Sequence, residues 1–364
     1  RWLGDLGLEF DASCIGYARV TVLSKFVYIN FLSPTRAAFF VEKSFFCSIC
    51  DSKSGREILR KKVQETEYRL FTCLKCGQSS ISPIPSLEEL ERFYNSSFEV
   101  PLFQEKKTIR KGIKILNELE RKGFKEGSRI LEIGASYGFF MNLARERGFD
   151  VSGIEMSGKA CEYAAHEFNL DIENSSLEES KFVISEQVFD AIILLDVIEH
   201  VTDPRGLMEN IEALLAPGGF LVITTPNIES TEFRLFGRAW EWVSPPAHLF
   251  YFSSDSLRSL LPDGLKPSHV ETCRGDSGGN IVFHGIYSFI KYIFWSPIGK
   301  LVDRGPKAAS DSNVTNRERR SEFTGILGMA KLFSLFFYPM IVPYDYWRNK
   351  KGRGPTLLLI AEKK

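Results

Sequence analysis

Between residues 129 and 227 the apolar positions fall into short continuous runs separated by segments of helical period. Ile130-Leu131, Val151 to Ile154, Ala191 to Leu195 and Phe220 to Thr225 are the strand-length runs. Continuous apolar runs of this kind suit strands buried on both faces of a parallel sheet. Between them lie an amphipathic helix after Gly138, a helix from Lys159 to Phe168, and a helix that Asp203-Pro204 starts and Pro217-Gly218-Gly219 stops. Leu170 to Leu177 reads as a short strand and its loop. Strands alternating with helices predict an α/β fold.

The flanks read differently. Ser86 followed by Glu89 is a capping box for a short helix, Leu87 to Tyr94. A second helix, about Gln104 to Lys122, carries Ile109, Ile113, Leu116 and Glu120 at helical spacing, with its lysines and arginines on a solvated face. Past residue 274, Ile281 to Ile298 and Ile326 to Val342 are dense in aromatic and aliphatic residues, separated by the polar segment Lys307 to Arg320. Neither apolar stretch is a clean span of about twenty residues. With the basic residues Arg348, Lys350, Lys351 and Arg353 beyond them, they fit either helices lying in a membrane interface or a helical insertion packed on the sheet. Gly354-Pro355 leads into a last strand, Thr356 to Ala361, expected to return antiparallel at the sheet edge. In residues 1–46 the apolar runs Val20 to Val27 and Ala37 to Val41 are interrupted by charges, no signal-peptide cleavage site is evident, and no function is assigned.

Composition narrows the class. The 364 residues are 44% hydrophobic and 25% charged, enough for a substantial core. Lysine and arginine balance aspartate and glutamate, 46 against 46, so no overall field draws the chain to nucleic acid. The 7 cysteines are unevenly placed, which suits a reducing compartment and a cytoplasmic location, with the inner face of a membrane allowed by the apolar tail. The first methionine is Met141, so the chain is expected to be a fragment or an extended reading frame.

Four of those cysteines form two C-x-x-C knuckles, Cys47 with Cys50 and Cys73 with Cys76. Two intervening residues let both sulfurs of a knuckle face one ion, and four thiolates complete the closed tetrahedral shell of structural Zn2+. A redox pair would need one knuckle at a helix start, not two in a strand-poor segment. The knuckles define a zinc ribbon over residues 47–82, and a closed shell leaves no position for substrate.

The chemistry centres on Arg129 to Glu155. A strand ends in Glu132, a turn carries Gly134 and Gly138, a helix follows, and a second strand is closed by Glu155. Glycines let the backbone approach a ligand, the helix start offers unpaired N–H groups, and an acid about twenty residues on accepts hydrogen bonds from ribose hydroxyls. A dinucleotide fingerprint fails, because Ser136 and Phe139 stand at two of its three glycine positions.

The acid and glycine spacing resembles the first motif of class I S-adenosylmethionine-dependent methyltransferases, with Ser136 in place of the middle glycine. Phe189 to Asn227, in order, resembles the ubiquinone-biosynthesis O-methyltransferase type. The cysteine head before such a core is similar to that of zinc-ribbon methyltransferases acting on sugars, including C-methyltransferases of deoxysugars. The resemblance implies S-adenosylmethionine as cofactor, with Glu132, Gly134, Gly138 and Asp196 near its methionine part, Glu155 at its ribose, and Ser176 and Leu177 beside its adenine. In the sugar C-methyltransferases an Asn and a His follow the fourth strand, whereas Glu199-His200 stands here, which favours O-methylation.

Methyl transfer from a sulfonium is a matter of positioning and, for a hydroxyl or carbon acid, of proton removal. Of the 5 histidines, His200 follows the fourth strand's carboxyl end and His248 lies in an aromatic loop after the fifth, so these two are the candidate catalytic residues.

The fold expected is α/β: a Rossmann-like seven-stranded methyltransferase sheet with an N-terminal zinc ribbon and a hydrophobic helical insertion before the last strand. Its parts are an unassigned segment 1–46, the ribbon 47–82, a helical linker 83–128, the core 129–274, the insertion 275–353 and a C-terminal edge strand 354–364. The expected acceptor is a small molecule, a sugar or a lipid-linked glycan, not nucleic acid, with peripheral membrane association through 281–298 and 326–342. The alternatives are sugar C-methylation, methylation of protein or RNA, and a non-catalytic docking module.

Overall fold

A computed structural model describes residues 18–23, 26–31, 45–63, 65–86, 88–90, 102–273 and 338–364. The chain divides into two units, 1–41 and 42–364. Described in the first is one antiparallel hairpin, β1 (Ala18–Leu23) with β2 (Phe26–Phe31), in which Leu23 lies opposite Phe26.

In the second unit the apolar runs assemble as a parallel sheet. β6 (Arg129–Ile133) pairs in parallel with β7 (Asp150–Ile154) on one side and β9 (Phe189–Leu195) on the other. β8 (Ile172–Glu173) extends the first side and β10 (Leu215–Pro226) the second. Alternate residues serve opposite faces, as a period of two requires. Leu131, Ile192, Leu194, Leu221 and Ile223 enter one core cluster, while Ile130, Ile193 and Val222 enter another beneath the opposite face.

One sequence expectation is corrected at this sheet. The C-terminal strand, β13 (Thr356–Lys363), is antiparallel but not at the edge: the order is β12-β13-β10-β9-β6-β7-β8, with β12 (Leu265–Cys273) outermost. The reason is burial, since Thr356 to Ala361 is buried at every position, whereas four consecutive residues of β12 are exposed. Pro217-Gly218-Gly219 stands just past the end of its helix at Leu214, as expected. It sits inside β10 at a register shift between Leu215 and Phe220, where a Cβ on Gly219 would come within 2.8 Å of the Ala216 carbonyl.

The linker helix α1 (Leu102–Arg121) lies against α2 (Phe139–Glu146), the helix after the glycine turn. Ile115, Leu116 and Leu119 are its buried stripe, and Gly112 lets it approach Phe140 and Leu143. Ile113, expected on that face, is exposed instead. The capping box is present, with Ser86 N–H donating to Glu89 Oε2 at 2.8 Å and Glu89 N–H to Ser86 Oγ at 3.2 Å.

The cysteine segment is rich in strand, contrary to its reading from sequence. β3 (Gly55–Val63), β4 (Thr66–Cys73) and β5 (Ser79–Ser82) form an antiparallel sheet, and its fourth strand, β11 (Phe250–Tyr251), comes from the far end of the methyltransferase-like core. The polar β3 lacks a clear apolar alternation, so its pairing with β4 is what makes it a strand.

Residues 274–337 lie outside the described residues, and with them Ile281 to Ile298 and most of Ile326 to Val342. The segment resumes as helix α3 (Tyr338–Lys350). No helix among the described residues is long and apolar enough to cross a membrane. Arg348 of this helix is fully buried and ion-paired to Glu232, with its Nε 2.8 Å from Asp345 Oδ1. Removing a buried cation leaves two acids without their partner. Arg348→Ala is therefore expected to destabilise the fold by about 3–5 kcal/mol, read as a fall in the urea midpoint. A loss close to zero would mean that water replaces the guanidinium.

Candidate active site

The site is built at the carboxyl ends of β6, β7, β9 and β10, where open parallel sheets bind ligands. On the β6 side the turn is strongly shaped. Gly134, Ser136 and Gly138 all have positive φ, at 71°, 48° and 76°. A Cβ on Gly134 would lie 2.5 Å from Val197 Cγ2, so glycine is needed there for space as well as conformation. Ser136 adopts the left-handed backbone that glycine would occupy and points its amide at Glu155 Oε2, 2.8 Å away. Glu155 Oε1 accepts from Ser157 N–H at 2.8 Å, so the acid is oriented by backbone on both oxygens. Burial raises its pKa against those amides.

Glu132 is buried at the end of β6, and its Oε2 has no hydrogen-bond partner among the described residues. Burial, then the nearby Glu155 charge, pushes its pKa well up, which favours the protonated carboxyl. Asn174 Nδ2 donates to the Glu155 carbonyl at 2.9 Å. Ser176 is half-buried, and Leu177 is packed in the main core cluster with Ile133 and Ile154.

On the β9 side, Asp196 has φ 58° and is held by groups that sequence reasoning missed. Lys107 Nζ donates to its Oδ2 at 3.0 Å, and Lys111 Nζ reaches both oxygens at 2.9 Å. Thr224 Oγ1 donates to Oδ1 at 3.0 Å. Despite burial, the two ammonium groups drive the Asp196 pKa far down, so it stays ionised. Two lysines four apart share a helix face. That spacing was the available signal, but it could not tell a solvated face from one turned to the site.

Glu199 is buried, accepts from Thr225 Oγ1 at 3.0 Å and leaves Oε1 unpartnered. Burial and then the Asp196 charge raise its pKa to about 8. Its backbone carbonyl accepts both Leu249 N–H at 2.8 Å and Phe250 N–H at 3.1 Å, which draws the 240–252 segment onto the end of β9. The two candidate histidines are thereby brought together. His200 and His248 have ring centroids 4.7 Å apart at 89°, and the donor atoms of Glu199, His200 and His248 lie within 4.8 Å of one another.

His200 Nδ1 is 2.9 Å from the Ala247 carbonyl, which can only accept, so the proton is on Nδ1 and Nε2 is left as an acceptor. His248 stacks on Trp242 at 5.8 Å and 12°, and its Nδ1 has no partner among the described residues. Lys107 Nζ lies 4.9 Å over the same indole. Burial lowers the pKa of both histidines, further for His248, where His200 adds to the effect. Both rings are therefore held in the neutral form at pH 7.

The four cysteines converge. Cys47 Sγ and Cys76 Sγ are 3.6 Å apart, Cys50 Sγ and Cys73 Sγ 3.5 Å, and all four sulfurs lie within 4.8 Å of one another. Thiolates about 2.3 Å from one shared ion sit roughly 3.8 Å apart, so this donor set fits tetrahedral Zn2+. Burial raises the thiol pKa of Cys47 and of Cys76. Burial also acts to raise that of Cys73, but the Cys76 and Lys75 amides outweigh it and bring Cys73 to about 7. The other described cysteines, Cys161 and Cys273, stand apart from this cluster. A cavity of about 380 Å³ lined by Arg145, Leu170, Lys181 and Phe182 touches none of the candidate site residues.

Residues 104–263 match the family model described as a methyltransferase domain. The chain is 29% identical over 146 residues to a ubiquinone biosynthesis O-methyltransferase of Caulobacter sp. (strain K31), covering 37% of this chain and 58% of that protein. With the enzyme of the same name from Maricaulis maris (strain MCS10) it shares 30% over 149 residues, 38% of this chain and 59% of the relative. The chain thus spans less than two thirds of these relatives' length. Among solved structures, one described as a putative sarcosine dimethylglycine methyltransferase from Galdieria sulphuraria is 16% identical, with a TM-score of 0.44 over 70% of this chain and 86% of that one.

Glu199 yields a stability prediction. An unfolded Glu loses its proton near pH 4.3, whereas the buried one keeps it to about 8. Between those values the folded state binds the extra proton, so stability present at low pH is lost as pH rises toward 8. Glu199→Gln, which mimics the neutral carboxyl, is expected to gain stability over wild type progressively from pH 5 to 8 in urea titrations. Parallel curves for the two proteins would contradict a buried neutral acid.

Proposed function

We propose that this chain, whose residues 104–263 are a methyltransferase domain of the class I S-adenosylmethionine-dependent kind, methylates a hydroxyl of a small-molecule, sugar or lipid-linked glycan acceptor. The observation that carries the reading is the neutral, nearly perpendicular His200–His248 pair at the carboxyl end of β9, beside an oriented Glu199. A hydroxyl acceptor must lose its proton during transfer, and a neutral imidazole with an available nitrogen can take it.

Residues on the β6 and β7 side fit the cofactor on two grounds: the orphaned Glu132 Oε2 and a left-handed turn with no room for a Cβ at Gly134. When bound, S-adenosylmethionine supplies a methyl group on a sulfonium, a good leaving group. Glu132, Gly134 and Gly138 would border its methionine part, with Asp196 across the edge, and Glu155 its ribose. Ser176, with Leu177 behind it, would flank the adenine. The chain's remaining work is to align the acceptor between Trp242, Tyr251 and the histidines, and to hold its proton on His248 or His200. The four cysteines would hold Zn2+ as a structural ion, without a position for acceptor.

Sugar C-methylation is the runner-up for the same residues, favoured by the cysteine sheet in front of the core. A non-catalytic docking module is the different-class rival, and zero net charge weighs against a nucleic-acid acceptor.

Calorimetric titration with S-adenosylmethionine and S-adenosylhomocysteine tests the reading. Micromolar binding is expected in wild type, and Glu155→Ala should weaken it at least tenfold, about 1.4 kcal/mol. His248→Gln should retain cofactor binding and lose methyl transfer in a screen beginning with sugar nucleotides. Wild-type protein that binds neither ligand would transfer the assignment to the docking module.

A further inference from the structure

Gln78 stands where the cysteine cluster meets the acceptor-side segment. Its backbone carbonyl accepts from Cys73 N–H at 2.8 Å, which makes it part of the second knuckle. Its side chain is buried, and Nε2 donates to the Ser79 carbonyl at 2.8 Å and to the Tyr251 carbonyl at 3.2 Å. Tyr251 is three residues past His248, their rings are 6.2 Å apart, and its hydroxyl accepts from Ser244 N–H at 3.3 Å.

Further ties run from the same sheet to the same segment. Phe250 and Tyr251 pair with Ser80 and Ser79, and Ile81 N–H donates to the Leu249 carbonyl at 2.9 Å. Lys61 Nζ donates to the Val243 carbonyl. From the other side, Leu249 and Phe250 donate to Glu199. Residues 243–251 are therefore clamped between the end of β9 and the cysteine sheet. A two-residue strand such as β11 has too few ladder bonds to fix its own place. A buried amide donor left unpaired costs about 1–3 kcal/mol, so Gln78 holds Tyr251 to one position.

We infer that the cysteine sheet is a positioning element of the acceptor side, and that Gln78 is the positioning residue through which the geometry of the four-cysteine cluster reaches His248. This rests on the reading of His248 as the group that faces the acceptor. The cofactor side is organised by Ser136, Ser157 and Asn174 around Glu155, none of which belongs to this sheet. The state of the four thiols thus governs the acceptor half of the reaction and leaves cofactor affinity alone.

The test uses the full chain, loaded with zinc and after stripping by a chelator, with Gln78→Leu to remove the amide donor at similar volume and Lys61→Met to break the separate tie. Ring spectra of the 5 histidines, assigned with His200→Gln and His248→Gln, report the His248 environment. S-adenosylhomocysteine calorimetry reports the cofactor side. In wild type the His248 ring should titrate well below the ordinary range. In Gln78→Leu, in Lys61→Met and in stripped protein the midpoint should rise toward about 6.5, with S-adenosylhomocysteine affinity kept within about twofold, a change of about 0.4 kcal/mol or less.

A His248 titration unmoved by all three changes overturns the inference. So does loss of the His248 signature in step with cofactor affinity, because the sheet would then merely hold the fold. Wild-type protein without affinity for S-adenosylhomocysteine would sink the methyltransferase reading instead, a result distinct from either.

Discussion

The backbone carbonyl of Glu199 accepts two amides, Leu249 at 2.8 Å and Phe250 at 3.1 Å, and most of the site depends on that contact. It binds the end of a parallel strand to a segment about fifty residues downstream. Without it His248, stacked on Trp242, would not face His200, and β11 would have no reason to leave the core and join the cysteine sheet. The side chain of Glu199 cannot do this work, because one oxygen is committed to Thr225 and burial keeps the carboxyl protonated to about pH 8.

The edge of the sheet sorts its acids by environment. Asp196 keeps its charge because Lys107 and Lys111 stand against it, whereas burial and a neighbouring carboxylate, Glu155 beside Glu132 and Asp196 beside Glu199, push the other two acids up so that they hold protons. Glu155 lies between these extremes, buried yet met by two backbone amides. Carboxyls with different charge states at one edge can serve different parts of a ligand, and the histidine pair adds neutral bases beside them.

The cysteine sheet and the seven-stranded sheet are one structure in energetic terms. Tyr68, Leu70 and Ile81 share a core cluster with Ile198, Trp240 and Phe250. A ribbon that only decorated the chain would be expected to carry its own separate core. Here the cluster of Phe45, Phe71 and the cysteines is small, and the larger apolar face of β4 and β5 is buried against the segment that carries His248.

What the sequence determined by itself were the features written in local pattern. The apolar runs specified parallel strands, the knuckle spacing specified a four-sulfur cluster, and Glu132, Gly134, Gly138 and Glu155 lay at offsets that one β-turn-α-β unit must bring together. Only tertiary structure decided which helix face turned inward at Lys107 and Lys111, which strand took the sheet edge, and that β11 would cross to the cysteine sheet. Those outcomes depend on pairings between residues tens to more than a hundred positions apart. Periodicity within a segment does not encode its partner: a polar helix face reads the same whether water or a buried carboxylate lies opposite it.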